Sequence, residues 1–145
     1  MRGTYTRHRL LFDTNILLDV IVSSRSQSKE ARRVLELCNG GGDMGFACSL
    51  SLKDTYYVLT KQYGEQRARA LVEALMDTLI IAPVSAEECD LSLQSDEPDF
   101  EDGLVRAAAE LNDIDFIITR DGDAYRRSTV RSLTAAEYLE LFDTE

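Results

Sequence analysis

The sequence predicts an α/β protein whose mostly parallel sheet is covered by helices on both faces. Three observations predict it. Apolar runs of three or four residues, the length of short buried strands, alternate with longer segments whose apolar residues recur at helical spacing. Glycines and capping residues punctuate the boundaries between them. Aspartates follow two of the apolar runs, and in such a sheet the crevice lies beyond the carboxyl ends of the strands.

The elements follow in order. Residues 1–8 read as a loose lead, and the whole chain, 1–145, reads as one domain. Leu10-Leu11-Phe12 is a first strand, with Asp13 at its end. Asn15 to Val22 is a short helix. Ser28 to Cys38 is a second, with Ala31, Val34, Leu35 and Cys38 as its apolar stripe. Asn39 and the three glycines after it stop that helix. Gly45 to Cys48 is a strand. Ser49 or Ser51 caps a helix that runs to about Tyr63 and ends at Gly64. Glu65 to Thr78 turns Ala68, Leu71, Val72 and Leu75 inward. Leu79 to Ala82 is a strand, Ser85 to Leu93 a short acidic helix, and Asp99 to Leu111 an alanine-rich helix. Phe116 to Thr119 is a strand and Val130 to Leu133 a last one. Thr134, with Glu137 three residues on, forms a capping box for a final helix.

The net charge is −10, and it is localised. No Lys or Arg occurs between Arg69 and Arg106, whereas ten Asp and Glu do, equal to the whole net charge. The first 69 residues carry 11 bases against 7 acids. A general basic surface for coating nucleic acid is excluded. The three cysteines, Cys38, Cys48 and Cys89, form no CxxC or Cys/His pattern, and His8 is the sole histidine. A zinc site is excluded on that ground, and free thiols in a reducing cytoplasm are expected. Asp13 and Asp19 interrupt the apolar run from Leu10 to Val22, so neither a signal peptide nor a membrane span is expected.

The chemistry-bearing residues are carboxylates. Asp13 and Asp121 both follow apolar strands, although a lone Asp there is also an ordinary turn residue or cap. Asp99 and Asp102 open the alanine-rich helix, where acids suit the helix dipole and Asp102 could pair with Arg106. Asp54 shares a helical stripe with Leu50, Tyr57 and Val58, so it must be neutral, paired or bound to a metal. Convergence of Asp13, Asp54, Asp102 and Asp121, with Asp99, would call for divalent cations to offset the repulsion. Mg2+ and Mn2+ prefer oxygen ligands and hydrolyse phosphodiesters by activating water. No P-loop or Ser/His arrangement competes.

The order of these motifs resembles the PIN-domain family, especially the toxin ribonucleases of VapBC-type toxin–antitoxin pairs. The resemblance is carried by Leu11-Phe12-Asp13-Thr14-Asn15-Ile16-Leu17-Leu18-Asp19, by Asp99-Phe100-Glu101-Asp102-Gly103-Leu104, by Ile117-Ile118-Thr119-Arg120-Asp121 and by Ser132 to Leu139. It implies a PIN-like three-layer α/β/α sandwich and an Mg2+- or Mn2+-dependent endoribonuclease. Asp13, Asp102 and Asp121 would hold metal with Asp99. Asp54 stands near the place where the family often has Glu. Asn15 and Thr119 would orient carboxylates, and Asp123 would assist Asp121. The resemblance also implies an RNA substrate, a cognate antitoxin protein and a homodimer. Arg25, Lys29, Arg32, Arg33 and Arg120 are candidate contacts for RNA phosphates. Two other readings stay open: a PIN-like binding module with little or no nuclease activity, and a phosphoryl-transfer enzyme of the haloacid-dehalogenase type. Against the latter, Asn15 stands where that family usually has a second Asp.

Overall fold

The computed structural model describes residues 7–143. Five strands form one sheet: β1 (Arg9–Phe12), β2 (Met44–Cys48), β3 (Ile80–Ala82), β4 (Phe116–Ile118) and β5 (Arg131–Leu133). Their order is β3-β2-β1-β4-β5 and every pairing is parallel. The chain winds outward from β1 to β3, then returns across β1 to begin the other half at β4. The reversal point of the topology therefore lies between β1 and β4, where an open parallel sheet leaves its crevice.

Seven helices cover the sheet: α1 (Thr14–Ile21), α2 (Ser28–Leu37), α3 (Ser49–Tyr63), α4 (Glu65–Thr78), α5 (Ala86–Gln94), α6 (Phe100–Leu111) and α7 (Ala135–Phe142). A short 3-10 turn, Gly122–Tyr125, follows β4. Successive strand side chains point to opposite faces, and β1 shows the consequence. Leu10 and Phe12 pack with Ile16, Val34, Leu75 and Tyr138 from α1, α2, α4 and α7. Leu11 packs on the other face with Val105, Ala108 and Ala109 of α6 and with Tyr125. Each of these β1 side chains is at most 1% exposed, so each stabilises the fold by about 1.5–3 kcal/mol relative to exposure. This is the three-layer arrangement expected, with the sheet wholly parallel.

Local chemistry explains the boundaries. Gly64 separates α3 from α4 at φ +88°, a conformation that a Cβ would strain. Capping boxes close the starts of α5 and α7, at Ser85/Glu88 and Thr134/Glu137. Cys48 is buried, whereas Cys38 and Cys89 are half-buried, and all three are free thiols. Burial, then the charges of Asp13 and Glu88, push the Cys48 thiol up to about 12. Among the described residues, no helix is long and apolar enough to cross a membrane.

Two expectations about local structure are corrected. Arg7 and His8 are not loose, and the remainder of the expected lead, 1–6, lies outside the described residues. Arg7 Nε donates to the Gly42 carbonyl at 2.8 Å. His8 Nδ1 lies 2.8 Å from the Tyr138 hydroxyl, and its ring meets Phe116 and Phe142 edge-on. The inward face of α3 is Ser51, Leu52, Thr55 and Leu59. Of the expected stripe, Tyr57 is 60% exposed, while Leu50, Asp54 and Val58 are half-buried at the edge of the core.

Candidate active site

Asp13 is the pivot. Its backbone N–H donates to the Ile118 carbonyl at 3.1 Å, fixing the end of β1 against β4. Its carbonyl accepts from Ile16 and Leu17, and its Oδ1 accepts from the Thr14 N–H at 2.7 Å, so it also caps α1. Its Oδ2 accepts from Thr119 Oγ1 at 2.9 Å and from the Tyr125 hydroxyl at 3.2 Å. One carboxylate is thus oriented by three donors from two ends of the sequence.

Thr119 joins Asp13 to Asp121. It is buried, it donates to Asp13, and its oxygen accepts the Asp121 N–H at 3.0 Å. Tyr125 is a residue that sequence reasoning missed. It is 2% exposed at the end of the 3-10 turn. Burial, then the charges of Asp13 and Asp102, raise its hydroxyl well above the ordinary tyrosine range. It therefore remains a proton donor to Asp13 at any physiological pH. A tyrosine four residues after an acidic strand end is the only sequence signal that pointed to it.

Asp102 comes from the first turn of α6. Asp99 caps that helix, its Oδ1 accepting the Asp102 N–H at 2.9 Å. Gly103, next to Asp102, lets α6 approach α5: a Cβ there would lie 2.0 Å from Ser92 Oγ. Desolvation raises the Asp102 carboxyl to about 6, followed by the charges of Asp99, Asp13, Asp121 and Glu97. Those neighbours come from β1, the α6 cap and the segment after β4, so four expected acids share one electrostatic environment.

The other expected residues sit elsewhere. Asp54 lies 3.4 Å from the Lys53 ammonium and beside Glu101. Its carboxyl, then burial, raises the Glu101 carboxyl. Asp54 thus meets the acidic group through Glu101 at its rim. The expected Asp102–Arg106 pair is replaced by contacts of Arg106 with Asp96, Glu97 and Glu110 at 2.8, 3.2 and 2.8 Å. Asn15 is exposed and its Oδ1 accepts from Arg25 at 3.4 Å, so its side chain is engaged by Arg25 rather than by the carboxylates it was expected to orient. Asp123 is exposed on the 3-10 turn.

Among the described residues, no three His, Cys, Asp or Glu side chains are gathered closely enough to enclose an ion by themselves. The donor set nevertheless suits a hard cation. It consists of carboxylate oxygens, it repels itself, and it faces the sheet's crevice. Mg2+ keeps several waters and takes one or two carboxylates, which a spread set of acids can supply.

A family model described as the PIN domain matches residues 9–123. No curated protein matches the sequence. Among solved structures, the chain is similar to a toxin–antitoxin complex from Klebsiella pneumoniae, at 25% identity and TM-score 0.67, over 87% of this chain and 97% of that one. It shares its fold with VapC20 of Mycobacterium tuberculosis, described as a sarcin–ricin-loop-cleaving toxin, at 18% identity and TM-score 0.65, over 81% and 93% of the two chains. A VapBC2 complex from Rickettsia felis, bound to a DNA fragment from its promoter, matches at 14% identity and TM-score 0.68, over 87% and 98%.

Proposed function

The chain belongs to the PIN-domain family, and on that premise we propose that it is a divalent-cation-dependent endoribonuclease, the toxin of a toxin–antitoxin pair. The observation that carries this reading is the raised Asp102 carboxyl, set among Asp13, Asp99 and Asp121. Carboxylates with no catalytic or ligating task are not usually brought together at such electrostatic cost.

Asp13, Asp102 and Asp121 would hold Mg2+ or Mn2+, with Asp99 contributing at the rim. The bound cation supplies an activated water and offsets charge at the scissile phosphate. Thr119 and Tyr125 keep Asp13 in one orientation, and Thr119 also fixes the backbone of Asp121. Asp54 and Glu101 lie side by side at the rim of the site and would tune its charge; Asp123 would assist Asp121. An RNA phosphodiester is the substrate, and cleavage leaves a 5′-phosphate and a 3′-hydroxyl.

A cognate antitoxin and a second copy of the chain are the partners this reading implies. Exposed Tyr57, Leu93 and Phe100 are side chains that a partner would cover. The engagement of Asp54 with Glu101 favours a second reading, a PIN-like binding module of little nuclease activity.

Purified full chain, incubated with total RNA in Mn2+, Mg2+ or chelator and with product ends mapped, separates the two. Cation-dependent cleavage that Asp13→Asn and Asp102→Asn abolish supports the nuclease. Undiminished cleavage by both variants overturns the site, and no cleavage by metal-loaded wild type leaves the binding module. Inducing the chain alone should slow growth, and co-expressing the adjacent reading frame should restore it.

A further inference from the structure

Of the five basic residues that the sequence marks as candidate phosphate contacts, the structure sets two apart. Arg32 Nε is committed to the Val20 carbonyl at 2.9 Å, and Arg33 to Asp143 and Glu36. Lys29 is an exposed side chain of α2. Arg25 and Arg120 instead converge on one carboxylate. Asp19, on α1, is 0% exposed, and its Oδ1 accepts from Arg25 Nε at 2.7 Å and Arg120 Nη1 at 3.4 Å. Its other oxygen, Oδ2, is buried and has no hydrogen-bond partner.

The charge balance matters. One buried carboxylate between two guanidiniums leaves the cluster at +1 in a chain of net −10. Both arginine side chains remain about a third exposed or less, at 27% and 32%, and each gives only one nitrogen to Asp19. A guanidinium presents five donors in a planar fork that matches phosphate. The contrast with Arg106 is instructive: there three carboxylates surround one guanidinium, and no charge is left over for an anion.

The position is as informative as the charge. Arg120 lies between Thr119, which donates to Asp13, and Asp121. Arg25 also reaches Asn15, two residues from Asp13, at 3.4 Å. The two forks therefore border the acidic crevice. The geometry points to Arg25 and Arg120 as a clamp for a phosphodiester adjacent to the one cleaved, with Asp19 as the positioning residue that aims both forks. This rests on the nuclease reading for the identity of the polyanion; the anion chemistry follows from the cluster itself.

The test is binding rather than cleavage. Full-length chain carrying Asp102→Asn is titrated into a labelled single-stranded RNA, in chelator, across a series of salt concentrations. Arg25→Ala and Arg120→Ala should each weaken binding about tenfold and reduce the log–log salt slope by about 0.7. Arg120→Lys should restore the slope with only partial affinity. Arg32→Ala, an equal charge change on α2, should stay within about twofold of the parent. Asp19→Asn is the sharpest variant, because removing a negative charge should tighten RNA binding through the general field. The clamp requires the reverse, weaker binding by a chain whose melting curve shows it folded.

Unchanged affinity and slope in both arginine-to-alanine variants, in a chain that binds and whose wild type cleaves RNA, overturn the clamp alone. Failure of the parent to bind RNA at low salt overturns the RNA reading with it. Loss of poly-glutamate binding in the arginine variants, with RNA binding intact, overturns the clamp in favour of an acidic protein partner.

Discussion

The two ends of the sheet use polar residues in opposite ways. At the amino ends of β1, β2 and β4 the polar groups are closed on one another. Arg9 and Asp115 exchange two hydrogen bonds at 2.8 Å. The Tyr138 hydroxyl donates to Asp43 at 2.5 Å, Asp43 accepts the His8 N–H at 3.0 Å, and the His8 ring completes the circuit. At the carboxyl ends, burial, then the charges of Asp99, Asp13 and Asp121, raises the Asp102 carboxyl to about 6. The difference teaches where stability and chemistry reside. Satisfied polar networks hold a fold, whereas neighbouring like charges cost stability and are available to a ligand.

Substitutions at the two ends should therefore have inverse signatures. The largest effect is expected from Asp102→Asn or Asp13→Asn: single-turnover RNA cleavage should fall at least about a hundredfold; the melting temperature should hold or rise in Asp102→Asn, whereas Asp13→Asn sets an amide donor against Thr119 and Tyr125 and should lower it. Asn retains the cap that Asp13 gives α1. A large fall in melting temperature in both variants would break the comparison. Next is Tyr138→Phe, which leaves buried Asp43 without its phenolic donor. It should lower stability by about 1–3 kcal/mol in denaturant titration and leave cleavage by the folded protein unchanged.

Tyr125→Phe sharpens the comparison, because a buried tyrosine serves the chemical end. It should weaken Mn2+ binding or cleavage about tenfold, measured by calorimetry and initial rates, because Asp13 keeps only Thr119 on Oδ2. Little change in unfolding midpoint is expected. The smallest effect is one of pH. Asp102 has a folded value of about 6 against an ordinary 3.8, so the folded chain holds this proton more tightly than the unfolded one. Its contribution is present at low pH and is lost as pH rises through that window. The melting temperature of wild type should therefore drop relative to Asp102→Asn between about pH 4 and 7. Mn2+ at pH 7 should close the gap for wild type only. A constant difference between the two melting curves across that range would sink the electrostatic account.

How much of this was legible depended on the range of each interaction. β1 and β4 announced themselves as apolar runs ending in Asp13 and near Asp121, and Thr119 could be singled out beside them. The inner face of α3 was misread for a physical reason. The true inner face of α3 carries Ser51 and Thr55, and Thr55 Oγ1 satisfies itself on the Ser51 carbonyl at 2.7 Å. Hydroxyls that bond their own helix can be buried, so the inward face looked polar and Leu50, Tyr57 and Val58 looked like the core. His8 looked loose because Tyr138 is 130 residues away. Tyr125 escaped because a 3-10 turn has no hydrophobic period to reveal which side chain turns inward. Arg106 chose Asp96 and Glu97 over Asp102, a preference set by how the segment between α5 and α6 folds back.

The bonds from Thr119 and Tyr125 to Asp13 span 106 and 112 residues. Thr119 and Tyr125 are thus translated 106 and 112 residues after the carboxylate that they orient. β1 finds β2 early, but it waits for β4 before the crevice has a second wall. A nascent chain therefore carries Asp13 through that stretch of synthesis without a formed pocket around it. On the nuclease reading proposed above, this long sequence separation is itself a safeguard: the crevice closes only after β4 and the turn that follows it have left the ribosome.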